Sequence, residues 1–305
     1  MKKIIALLSL GFIMLISCKS RVIERNISVI EKQEVNYIPY YLKVYEADSL
    51  YIIKEYAKSF FILDSLFKKY KPLNQEKFKE FETYISCGYI LKMKMNFKDS
   101  ILKSIENYGS IPRYFKYDSL MNLAYLNSKI SNEESLKSTK IYLNKLNLPL
   151  RDTIKKMCAI DQEIRNKYTS YNNEIKKIDS LIQIKLRDIF IKHGYPGEKL
   201  IGEYYVDSTN VDLGAVFLHT NNEFRLDFLL PKILNAVKEG KADPQMYSES
   251  MDRYLYENQS KKELYGSYSR KKSNLKYPQK IDSIRKSIGL PSMTYISWRM
   301  NEKFK

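Results

Sequence analysis

Between Asn172 and His193 the chain sets Ile175, Ile178, Ile182, Leu186 and Ile189 at steps of three, four, four and three residues. That spacing lays five apolar side chains along one face of an α-helix, and it does not suit the two-residue alternation of a half-buried strand. The same period recurs upstream. Ile52, Tyr56, Phe60, Leu63 and Phe67 follow it; Phe78, Phe81, Ile85, Tyr89 and Leu91 resume it after a break at Pro72. Ile101, Ile105 and Tyr108 continue it up to a second break at Gly109 to Pro112. A chain patterned in this way is expected to be mainly α, with little strand.

The paired helices over residues 41–150, with aromatic and small residues at their crossings, look like degenerate tetratricopeptide-type repeats, either a concave binding surface or a plain packing module. Asn147-Leu148-Pro149 marks the boundary expected near residue 150, and residues 151–305 read as a second, mostly helical domain. Asp152 is the expected cap of its first helix, which would bury Ile154, Met157, Ile160 and Ile164.

The start of the chain reads as an export signal. Lys2 and Lys3 precede an uncharged apolar run from Ile4 to Ile16, too short to span a bilayer as a helix. It ends in Leu15-Ile16-Ser17-Cys18, which resembles the bacterial lipobox, cut before a cysteine that carries a diacylglyceryl group. The expectation is a signal peptide over residues 1–17, lipid attachment at Cys18 and a tether over residues 18–40. Several acyl chains on one cysteine give stable anchoring. The absence of Asp beside Cys18 favours the outer membrane in a Gram-negative envelope. Cys87 and Cys158 lie in apolar helical surroundings and read as buried free thiols, with a disulfide between them as the alternative.

The formal charge of +17 is spread along the chain among 26 tyrosines. Solvated helix faces account for it without a nucleic-acid partner, which is not expected; an anionic membrane surface or an anionic envelope ligand fits better. The sequence carries no P-loop, no dinucleotide fingerprint, no nucleophile elbow and no zinc-ligand spacing. No cofactor and no metal are expected.

Chemistry-bearing residues concentrate after residue 150. Asp161 and Arg165 stand four apart, on one face of a helix, with Gln162 beside them. His219 ends an apolar helix, where an imidazole serves as acid or base near neutral pH or caps free carbonyls. His193, just before Gly194, suits the C-terminal end of a helix dipole.

These residues resemble a bacterial family catalogued as domain of unknown function 6624, over roughly residues 152–295. The resemblance rests on Asp161-Gln162 with Arg165, Gly194 with Pro196 and Gly202, the helix Ala215 to His219, Asp252-Arg253, Tyr265-Gly266, and Arg285 with Gly289-Leu290. Glu263 and Ser267 depart from it, standing where the family usually has Gln and Thr. The family supplies an architecture and no reaction. The resulting expectation is a lipid-anchored envelope protein that binds a ligand or a protein partner, with Gln162, Arg165, Arg253 and Arg285 converging on an anionic ligand. The alternative is an envelope hydrolase in which His219 acts with Asp161 or Asp252.

Overall fold

The structure, a computed structural model, describes residues 35–168 and 170–303. The expected signal peptide, the lipid-attachment residue Cys18 and most of the tether lie outside them. The fold is mainly α. Among the described residues there is no strand, and a single bridge joins Glu263 to Leu275. No helix among them is long and apolar enough to cross a membrane.

The first half contains α1 (Ile38–Ile52), α2 (Tyr56–Phe67), α3 (Glu80–Ile90), α4 (Phe97–Tyr108), α5 (Pro112–Phe115), α6 (Ser119–Asn127) and α7 (Asn132–Leu143). α1 packs on α2, α2 on α3, α3 on α6, and α4 on α7. The local code is plain where these helices start and stop. Asn96 caps α4, Asp118 caps α6, and Ser131 with Glu134 forms a reciprocal capping box on α7. Gly109 ends α4 at a φ of +67°, a left-handed conformation that costs a glycine little.

The second half runs through α8 (Leu148–Lys167), α9 (Asn173–His193), α10 (Glu198–Ile201) and α11 (Leu213–Leu218). A continuous helical stretch follows: α12 (Asn222–Phe224), a π-helical turn over Arg225–Leu229, and α13 (Leu230–Lys238). α14 (Pro244–Asn258), α15 (Ile281–Lys286) and α16 (Tyr295–Lys303) complete it. The cap expected at Asp152 is Asn147 instead, whose side chain accepts from Leu150 N. Pro149, in the first turn, starts the helix rather than ending one, because its missing N–H is not needed there.

The boundary expected near residue 150 is not a seam in the packing. One hydrophobic cluster holds Tyr40, Tyr41, Val44 and Tyr45 of α1 together with Ile154, Leu186, Phe217, Ile233 and Tyr295. Residues from Glu34 onward form one compact unit. Tyrosine hydroxyls stitch it: Tyr41 donates to Val237 O at 3.1 Å and Ala242 O at 3.0 Å, and Tyr45 to Gly289 O at 3.0 Å. The tether ends earlier than residue 40 too, since Tyr40 is fully buried and donates to Glu80 at 2.7 Å. A good share of the tyrosines are therefore core residues whose hydroxyls find partners, not an exposed basic-aromatic surface.

Candidate functional site

α8 and α9 pack side by side and carry the first cluster. The buried stripe of α8 is Ile154, Met157, Cys158 and Asp161, at the helical steps of three, four and seven. The stripe is rotated from the expected one: Ile160 is 40% exposed, and a fully buried carboxylate takes the core position. Burial of a charge is tolerated only with partners, and Asp161 has them. Oδ1 meets Arg165 Nη1 at 2.9 Å; Oδ2 accepts from Gln162 Nε2 at 2.7 Å and from His219 Nδ1 at 2.9 Å. Arg165 reaches on to Asp179 of α9 at 2.7 Å. Burial raises the pKa of Asp179, and the Arg165 guanidinium opposes that rise. Gln183 donates to Asp179 O and accepts from Asn221 N, which ties α9 to the turn after His219.

Asp161, Gln162, Arg165 and His219 thus meet as expected, with Asp179 and Gln183 as members that sequence reasoning missed. With Asp161 as acceptor, the His219 proton sits on Nδ1, and no described residue bonds Nε2. Cys158, one turn before Asp161, is a free thiol, as is Cys87; burial pushes both up to about 12, so neither is a ready nucleophile. His193 is exposed in the last turn of α9.

Asp252, Arg253 and Arg285 do not converge on this cluster. Asp252, fully buried on α14, accepts backbone N–H groups of Leu264 at 2.7 Å, Tyr265 at 2.9 Å and Ser267 at 2.7 Å. Burial raises its pKa to about 6 against the pull of those three donors. Arg285 donates to Tyr265 O and Pro291 O, and Arg253 pairs with Glu257 and Tyr268. These three residues shape the turn around Tyr265-Gly266 and the segment that leads to α16. Glu263 belongs to the same turn: it accepts from Tyr268 N, Ser269 N and the Ser269 hydroxyl. Every one of these partners is a donor, so an acid serves there without an amide's own N–H.

The largest cavity lies elsewhere, and neither Asp161, Arg165 nor His219 lines it. It is a cleft of about 680 Å³ between the segment 71–78, the α10 region, the loop 210–213 and the turn 240–243. Its walls are built by specific devices. Arg151 on α8, 1% exposed, spends all five N–H donors on the loop after α10. Nη1 donates to Ile201 O at 3.1 Å and Gly202 O at 2.9 Å, Nη2 to Thr209 O at 2.9 Å, and Nε and Nη2 grip Asp207 at 3.2 and 2.7 Å. The Arg151 guanidinium, with Lys155, holds the Asp207 carboxyl well below the usual carboxylate range. Gly197 is needed for a close approach, since a Cβ there would lie 2.7 Å from Lys241 O. Opposite, Asn74 and Lys79 adopt left-handed φ values of +52° and +48°, and Asn74 Oδ1 accepts from Phe81 N. Non-glycine residues persist in that region only where their surroundings over-determine them.

The charges in the cleft are not self-neutralising. Glu198 makes no ion pair or side-chain hydrogen bond with a described residue. Protein crowding it on the cleft wall raises its pKa to about 8, with Glu203 and Glu76 adding to the rise and Lys79 opposing it. Glu203 is raised by burial too, against its ion pair with Lys79 at 3.3 Å. Lys199 touches only Gly240 O, at 3.1 Å, and the same crowding lowers it to about 8. Water still reaches Glu198 and Lys199. They sit on a concave wall, not in a sealed core.

Fold and site together define a mainly α protein with a ligand-sized cleft and a separate buried Asp–Arg–His network. Compared with models of known families, with curated proteins and with solved structures, the chain matches none.

Proposed function

We propose that this chain is a lipid-anchored protein of the bacterial envelope that binds a small polar ligand in the cleft beside α10. The observation that carries the reading is the state of that cleft. Its volume falls within the range of about 300–1,000 Å³ typical of ligand sites, and carboxylates and ammonium groups face it that the fold does not use. Like charges crowded at a wall cost stability, and groups with strongly shifted pKa values cluster at functional sites. The His219 network is the weaker candidate. Each member of it but one ring nitrogen is already bonded within the protein, as in an internal support.

The envelope address rests on the basic, apolar and cysteine-ended start of the sequence and on its likeness to a lipobox. A charge of +17 suits residence at an anionic membrane surface, and the burial of many tyrosines removes the main argument for nucleic acid. Native mass spectrometry of the protein, released from membranes of cells that make it, tests both parts. The expected N-terminal residue is Cys18, carrying two or three acyl chains. A further bound mass of a few hundred daltons is expected on the wild type and is lost in Glu198→Arg. An N-terminus other than Cys18 would overturn the anchor, and a bound mass that survives Glu198→Arg would overturn the site.

A further inference from the structure

The cleft has two electrical poles, and their arrangement says what its ligand carries. At one end Glu198, Glu203 and Glu76 lie close enough for each to feel the others, with Lys79 the nearby cation. At the other end Lys199 lies in the fields of Lys71 and Lys241. Lys241 has a partner in Glu239, and Lys79 has Glu203. The acidic pole still keeps an excess of carboxylates, and Lys199 and Lys71 have no carboxylate partner. Glu198 and Lys199 are neighbours on the one-turn helix α10, where successive side chains leave about 100° apart. They do not pair with each other. Between the poles the lining is aromatic and apolar, with Tyr41, Tyr195, Leu213 and Met246.

We propose, building on the ligand-binding reading above, that the occupant is a short peptide with free ends. Its α-ammonium group would sit among Glu198, Glu203 and Glu76, and its α-carboxylate at Lys199 and Lys71. A ligand with one charge satisfies one pole and leaves the other crowded. A single amino acid is zwitterionic but too small to fill a cleft of about 680 Å³. A peptide of a few residues satisfies both poles and presents side chains to the apolar wall.

The arrangement also dictates a proton balance. The titratable groups around Glu198 are Glu203, Glu76, Asp243, Lys79, Tyr142 and Tyr195. With its pKa raised to about 8, Glu198 is largely protonated at pH 7 in the empty cleft. An arriving ammonium group favours the ionised form, so the proton leaves to the buffer. Binding at pH 7 therefore releases protons, and affinity rises with pH up to about pH 8.

Isothermal titration calorimetry of the full chain in detergent tests this with tetra-alanine, N-acetyl-tetra-alanine and tetra-alanine amide. Tetra-alanine is expected to bind with net proton release, read from two buffers of different ionisation enthalpy. Acetylation and amidation are each expected to weaken binding tenfold or more. Glu198→Gln should lose the discrimination against the acetylated peptide, and Lys199→Met that against the amide. Equal binding of the three peptides, or none by any, would overturn the proposal. Chitotriose binding in place of the peptides would sink the peptide and leave the cleft as a ligand site. No binding of any probe, together with a Glu198→Gln protein less stable than wild type, would remove both.

Discussion

Arg151→Met is expected to lose on the order of 3–5 kcal/mol of stability, a fall of about 10 °C in the unfolding midpoint for a chain of this size. The reason lies in how completely Arg151 is used. It is 1% exposed, and its five donors serve Asp207 and the carbonyls of Ile201, Gly202 and Thr209. Methionine fills much of the same space but supplies no donor, so three carbonyls lose their guanidinium partner and Asp207 is left with Lys155. Lysine keeps the charge with at most three donors on a flexible stem and is expected to fall between the two. Lys155→Met, which removes the partly exposed partner of the same carboxylate, is expected to cost less than about 1 kcal/mol. Denaturant titration gives the order, and hydrogen exchange over residues 201–209 shows whether the loop opens first. A Met variant as stable as wild type would mean that the loop does not depend on Arg151.

Arg165→Ala carries the second large effect, again on the order of 3–5 kcal/mol. Arg165 stands between Asp161 and Asp179, which are 0% and 6% exposed, with contacts of 2.9 and 2.7 Å. Removing it leaves two buried carboxylates facing each other with His219 as the remaining ring donor. The pKa of Asp179 is already raised by burial, and it loses the cation that opposes the rise. Adding Asp179→Asn to Arg165→Ala removes one of the two stranded charges. It is expected to recover on the order of 1 kcal/mol, a coupling that a double-mutant cycle measures directly. His219→Ala is expected to cost less, about 1–2 kcal/mol, because Asp161 keeps Arg165 and Gln162. An Arg165→Ala protein that keeps its midpoint would contradict the reading of this network as an internal support.

The helices were legible because their signals are local. The stripe of α9, the breaks around Pro72 and Gly109, and Asp243-Pro244 opening α14 all lie within a few residues of what they determine. Asp161 with Arg165 was legible for the same reason, being four apart on one helix. What lay beyond reach was set by long-range packing. Nothing local says that Tyr41 and Tyr45 of α1 bond to carbonyls about two hundred residues later, so the core crosses a boundary that composition suggests near residue 150. Asp252 and Arg285 looked like site residues because acids and arginines do chemistry, yet they satisfy backbone groups of one turn. The cleft had a faint signal. Gly194 to Gly202 concentrates glycine and proline around Glu198 and Lys199, as a loop shaped for a purpose often does. Their crowding against Glu203, Glu76 and Lys71 exists only in the folded chain.

The account's central claim is that the cleft beside α10 holds charge for a ligand and not for the fold. Thermal unfolding of wild type and Glu198→Gln between pH 4.5 and pH 8.5 tests it most directly. The folded chain holds a proton on Glu198 up to about pH 8, whereas the unfolded chain releases it in the ordinary carboxylate range. The stabilisation from that proton is therefore full below the ordinary range and is lost as the pH rises to about 8. Glutamine cannot ionise and escapes the loss. The two proteins are predicted to melt together at pH 4.5, and the variant to gain on the order of 2 °C over wild type by pH 8.5. A variant that melts below wild type across the whole range would show that the Glu198 carboxylate serves the fold, and would contradict the account.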